Sequence, residues 1–157
     1  MSKTNQIIFV LITVALVISF VLNFVVDRKE AKLTTEESNS SELSPVVYKD
    51  LIKVSSPLPD TKVSSPLVIE GEARGMWFFE ANFPVLVTDW DGLIIGEGFA
   101  EAEGNWMTED YVPFTATITF TADTRISDRG SIILKRSNAS GLPEHDDAFE
   151  YQVSLSE

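Results

Sequence analysis

Greasy and polar side chains take turns along several short stretches of this chain. Between Phe114 and Thr121, Phe114, Ala116, Ile118 and Phe120 fall on one side and four threonines on the other. That period of two is the mark of a half-buried β-strand. Leu67, Ile69, Gly71 and Ala73 oppose Glu70 and Glu72, and Phe149, Tyr151, Val153 and Leu155 oppose Glu150, Gln152 and Ser154. Shorter apolar runs at Ile52 to Ser55, Phe83 to Asp89, Leu93 to Phe99 and Ser131 to Lys135 bring the expected strands to seven. They are separated by Gly, Pro, Asn and Asp clusters.

Asp91-Gly92, between two such runs, predicts a two-residue type I′ hairpin, because glycine accepts the positive φ that turn requires. The hexapeptide Lys-Val-Ser-Ser-Pro-Leu occurs at 53–58 and again at 62–67. Its prolines cannot donate to a central ladder, so they mark the end of the first strand and the entry to the second. No stretch after residue 30 carries a helical stripe. The pattern predicts an all-β domain, an immunoglobulin-like antiparallel β-sandwich of about seven strands. A small barrel is the other arrangement it allows.

The N-terminus follows a different rule. Residues 7–26 are twenty in a row without charge, sixteen of them Ile, Leu, Val or Phe. As a helix rising about 1.5 Å per residue they span about 30 Å, the thickness of a bilayer's hydrocarbon core. A cleaved signal peptide has an apolar region of only about 7 to 15 residues before a small-x-small site. Here the run continues through Val25 and Val26 into Asp27, Arg28 and Lys29. Residues 7–26 are therefore read as a transmembrane anchor behind a short tail, 1–6. Residues 27–47, rich in Ser, Thr and Glu, are read as a flexible polar stalk, and 48–157 as the folded domain. The positive-inside count, with Lys3 and the amine on one side and Arg28, Lys29 and Lys32 on the other, points weakly against an external domain.

Charge narrows the partners. All 24 acidic residues follow Val26 and only one of the 12 basic ones precedes it, so residues 27–157 carry −13. Such a domain repels nucleic acid and anionic lipid. With no cysteine there is no disulfide scaffold, thiolate metal site or lipidated N-terminal Cys.

Catalytic signals are weak. The single histidine, His145, lies too near Ser140 and Asp146 in sequence to build a triad. Glu144, Asp146 and Asp147 lack the spacing that wraps calcium. Asp89, Asp91, Glu109 and Asp110 read as turn residues. No catalytic residue, metal ligand or cofactor is assigned.

Aromatics carry the candidate surface. Trp77, Phe78 and Phe79 are consecutive, and on a strand they cannot all enter one core. With Glu80 beside them, and Trp90 and Trp106, they form the expected interaction patch.

The course from Ser56-Pro57 through Ser65-Pro66-Leu67, Gly71-Glu72-Ala73-Arg74-Gly75, Phe79-Glu80, Asp91-Gly92, Trp106 and Phe114 to Ser140-Gly141 resembles the Gmad2 family. These are immunoglobulin-like domains of bacterial exported proteins associated with spore germination. The resemblance spans about residues 52–156 and implies an extracytoplasmic domain that mediates interactions and has no catalytic residues. No separate germination-type domain accompanies it here, which leaves a sporulation role unsupported. The expected function is a membrane-anchored module, on the cytoplasmic membrane of a bacterium, that docks another envelope protein. A cell-wall glycan module using exposed tryptophans is the alternative, and an enzyme with an unrecognised carboxylate pair is a third class.

Overall fold

The computed structural model describes residues 44–157. The expected anchor at 7–26 and most of the stalk lie outside the described residues. Among the described residues no helix is long and apolar enough to cross a membrane.

The domain is all-β, with nine strands: β1 (Val46–Tyr48), β2 (Ile52–Ser56), β3 (Lys62–Val63), β4 (Leu67–Arg74), β5 (Asn82–Asp89), β6 (Ile94–Ala102), β7 (Tyr111–Ile118), β8 (Arg129–Lys135) and β9 (Ala148–Leu155). All nine join one continuous sheet in the order β1-β2-β4-β7-β6-β5-β8-β9-β3. In place of the two separate sheets, about seven strands in all, that the pattern predicts, one sheet of nine curls so that its halves press together in the manner of a sandwich. Phe83 of β5 meets Phe114 of β7 edge to face at 4.9 Å. Alternation along β4, β7 and β9 buries Leu67, Ile69, Val112, Phe114, Phe149 and Val153, each contributing about 1.5–3 kcal/mol.

The halves are joined through β6, which pairs with β5 along its length but with β7 only over Ala100–Ala102 and Phe114–Ala116. Beyond that point Gly96 and Gly98 let β6 pass close over the end of β7. A Cβ on either would lie 2.7 Å from Phe120 or Ile118.

Four further expectations change. β1 and β3 were not foreseen, and Val46 and Val47, read as the end of the stalk, are strand residues. The sheet is not wholly antiparallel, because β3 runs parallel to β9. β7 starts at Tyr111 and stops at Ile118, since pairing with β4 from Arg74 to Leu67 sets its limits. Past it, Phe120 donates its N–H to Ser65 Oγ instead of a neighbouring strand. Finally, the Asp89–Leu93 hairpin is not a type I′ turn. Only Gly92 has positive φ, at 82°, and Asp89 Oδ1 accepts from Asp91 N and Leu93 N. The loop has three residues with the left-handed one last.

Pro57 follows β2 and Pro66 precedes β4, and both Ser-Pro bonds are cis. The short β3 between them lets the chain cross from β2 in one half to β9 in the other.

Candidate interaction surface

Antiparallel register brings four connections to one end of the sandwich: the β1–β2 turn, the β4–β5 segment 75–81, the β6–β7 loop 103–110 and the β8–β9 loop 136–147. The β4–β5 segment begins with a 3-10 turn, Gly75–Trp77. Gly75 is needed there, because a Cβ would fall 2.0 Å from the Thr108 carbonyl oxygen and 2.3 Å from that of Trp106. A 3-10 turn rotates successive side chains by about 120° rather than flipping them. Trp77, which ends the turn, and Phe78, the extended residue that caps it, are both buried. The Trp77 ring stands edge-on to Tyr48 and Phe83, and Phe78 lies 5.3 Å from Phe83. Phe79 comes out into solvent, 46% exposed.

The backbone then makes a tight reversal. Phe79 N donates to Asn82 O at 3.0 Å and Asn82 N to Phe79 O at 3.2 Å, with Glu80 and Ala81 between them at φ 52° and 64°. The β1–β2 turn does the same with Lys49 and Asp50, at φ 49° and 56°. A left-handed residue other than glycine costs about 1–2 kcal/mol and persists where its surroundings over-determine it.

Here they do. Ala102 N donates to Ala81 O at 2.8 Å, and Ser137 Oγ to Asn82 O at 3.0 Å. Arg74 grips Asp50 through Oδ2 at 2.8 Å and the carbonyl at 3.2 Å, while the Tyr111 hydroxyl donates to Asp50 Oδ1 at 2.8 Å. The Arg74 guanidinium also lies 4.0 Å from the Tyr111 ring centroid. Hydrogen bonds from Arg74, then Tyr111, hold the Asp50 carboxyl below its ordinary range.

Further bonds fasten the loops to one another. Arg136 Nε donates to Met76 O and Ser137 N to Trp77 O. Gly75 N reaches Asp110 O, and Arg74 Nη1 reaches Glu109 O. On this fixed frame Met76, Phe79, Met107 and Leu142 are exposed, Met107 at 74%, with Trp106 half-buried among them.

Residues 51–142, more than half of the chain, match the model of the Gmad2 family, described as an immunoglobulin-like domain of bacterial spore germination. This chain belongs to the Gmad2 family. No curated protein and no solved structure matches it. Strand β9 lies outside the matched range, yet in this Gmad2 domain it completes the core with Phe149, Tyr151, Val153 and Leu155.

The six expected surface residues divide three ways. Trp77 and Phe78 belong to the core, a correction that follows from the 3-10 turn. Phe79, Glu80 and Trp106 share the loop end. Trp90 sits at the other end of the eight-residue β5, roughly 25 Å away at about 3.4 Å per residue. There it borders a recess of about 90 Å³ with Asp89, Arg129, Ser131 and Gln152.

Met76, Met107 and Leu142 were not singled out from the sequence. The available signal was a large apolar side chain in a loop with no alternating partner, as in Asn105-Trp106-Met107-Thr108. His145 lies in the exposed 3-10 turn Pro143–His145. Among the described residues no group of three or more His, Asp or Glu is placed to hold a metal ion.

Proposed function

We propose that this Gmad2 domain is a non-enzymatic interaction module, anchored by residues 7–26 on the tether 27–47, that engages another envelope protein through its loop end. One observation carries the reading: three loops from different strand pairs display Met76, Phe79, Met107 and Leu142 to solvent while hydrogen bonds lock those loops together. A surface held in place before contact loses little entropy on binding. Methionine adapts to the shape it meets. Anchoring is supported by the twenty uncharged residues, and an extracytoplasmic setting by the family's association with exported proteins.

A photo-crosslinking residue at Met107 of the full-length chain, with one at Val68 on the outer face of β4 as control, tests this in cells. A discrete protein adduct from Met107 alone is expected. Adducts from Val68 alone, or from neither, reject the reading. Because the chain has no cysteine, a single one placed at Ala139 reports exposure to an impermeant maleimide in intact cells; absence of labelling rejects the external placement.

The glycan reading keeps one supporting observation, the exposed Trp90 beside Asp89, Arg129 and Gln152. An indole face next to planar polar groups suits a sugar ring. On that reading Trp90→Ala abolishes co-sedimentation with purified cell-wall glycan and Met107→Ser leaves it intact.

A further inference from the structure

The exposed apolar side chains of the loop end stand among carboxylates. Glu80, Glu103, Glu109, Asp110, Glu144 and Asp146 lie on the same three loops as Met76, Phe79, Met107 and Leu142. Three of the cations nearby are already engaged, while Lys135, at the end of β8, takes part in none of the ion pairs among the described residues. Lys49 Nζ is 3.0 Å from Asp147 and Arg74 Nη2 2.8 Å from Asp50, and Arg136 Nε donates to the Met76 carbonyl at 3.1 Å. None of the six carboxylates takes part in the ion pairs found among the described residues.

We infer that the loop end receives a basic protein segment with an apolar face, of the kind an amphipathic helix makes when Lys or Arg flanks Leu or Phe. This rests on reading the loop end as an interaction surface and adds the chemistry of its partner. Apolar contact at the centre supplies affinity, while charges at the rim set approach rate and partner choice. At physiological salt the screening length is about 8 Å, so rim carboxylates act on a partner as it docks. The same charges disfavour the other occupants. An anionic bilayer, an acidic wall polymer and a second copy of this chain would each bring negative charge against negative charge.

The test uses the full-length protein in nanodiscs of zwitterionic lipid. Two fluorescent model helices share one Leu/Phe face and differ only in carrying Lys or Glu beside it. The Lys helix is expected to bind more tightly, by roughly tenfold or more at low salt, with the preference shrinking as salt rises. Reversing the rim with Glu109→Lys and Asp110→Lys removes the preference, whereas Asp89→Lys with Asp91→Lys at the other end preserves it. Phe79→Ser with Met107→Ser weakens the Lys helix and leaves its salt response unchanged. Thermal melts of all three variant proteins confirm folding.

Equal binding of the two helices, equal loss on reversal at either end, or capture of anionic vesicles instead overturns the inference. The Met107 adduct separates the two levels. If it persists and the captured partner presents an acidic face, only the charge inference fails. If there is no adduct, the interaction reading itself fails.

Discussion

At one end of the sandwich Met76, Phe79, Met107 and Leu142 stand in solvent; at the other, Trp90, Leu93, Ile94 and Ile126 do. Exposed hydrophobicity does not tell the two ends apart, but the backbone beneath it does. Among the described residues, four of the five left-handed residues other than glycine, Lys49, Asp50, Glu80 and Ala81, lie at the loop end, and only Asp60 lies at the other. The Asp89–Leu93 turn that carries Trp90 uses Gly92 for its one left-handed position, and its hydrogen bonds are internal to it. At the loop end the bonds run between loops. An apolar residue on an independent turn is ordinary surface, whereas several held in mutual register by strained, cross-tied backbone are what recognition requires.

The largest test of that contrast sets two tryptophans against each other. Trp77→Ala removes a fully buried ring and is expected to cost about 3–5 kcal/mol in urea unfolding. Trp90→Ala, at an exposed turn, should stay within about 0.5 kcal/mol. Comparable losses would erase the distinction between the core tryptophan and the surface one. Next, Gly75→Ala forces a methyl against two carbonyls and should cost about 1–3 kcal/mol, with loss of the Met107 adduct at temperatures where the variant is still folded.

A mirror pair comes third. Ala81→Gly relieves a left-handed alanine and should raise stability by about 1 kcal/mol, and Gly92→Ala should lower it by about as much. If neither midpoint moves, the loop end stores no strain.

The smallest effect concerns acid. Burial pushes the Asp147 carboxyl up, but hydrogen bonds from Lys49 and Tyr48, with the Lys49 charge, outweigh it and leave the group below its ordinary range. A depressed folded value means that the clamp's contribution is complete above about pH 4 and fades as pH falls through the lower folded value. Asp147→Asn should cost about 1 kcal/mol or less at neutral pH and flatten the stability profile below about pH 4. An unchanged acid profile would remove β1's tie to the β8–β9 loop from the account.

The sequence was most legible where one face of a strand is wet. β4, β7 and β9 announce themselves through alternation, since Glu70, Thr117 and Gln152 meet water while Ile69, Ala116 and Tyr151 do not. β1 and β3 are too short to show a period, and the pairing of β3 depends on a distant partner, Lys62 on Ser154. The candidate surface was half legible. Phe79 and Trp106 stood out as aromatics. The inward turn of Trp77 and Phe78 depends on Gly75 closing against the β6–β7 loop, a contact that local pattern does not encode. Met107 and Leu142 become notable only once the register carries their loops to the end where Phe79 emerges.

The termination of the sheet has one more consequence. Among the described residues its outermost strands are β1, of three residues, and β3, of two, so these two strands themselves offer a stray polypeptide little ladder to extend. Short edges of this kind guard against edge-to-edge aggregation. What main-chain template remains lies along β9, which β3 covers only at Ser154 and Leu155.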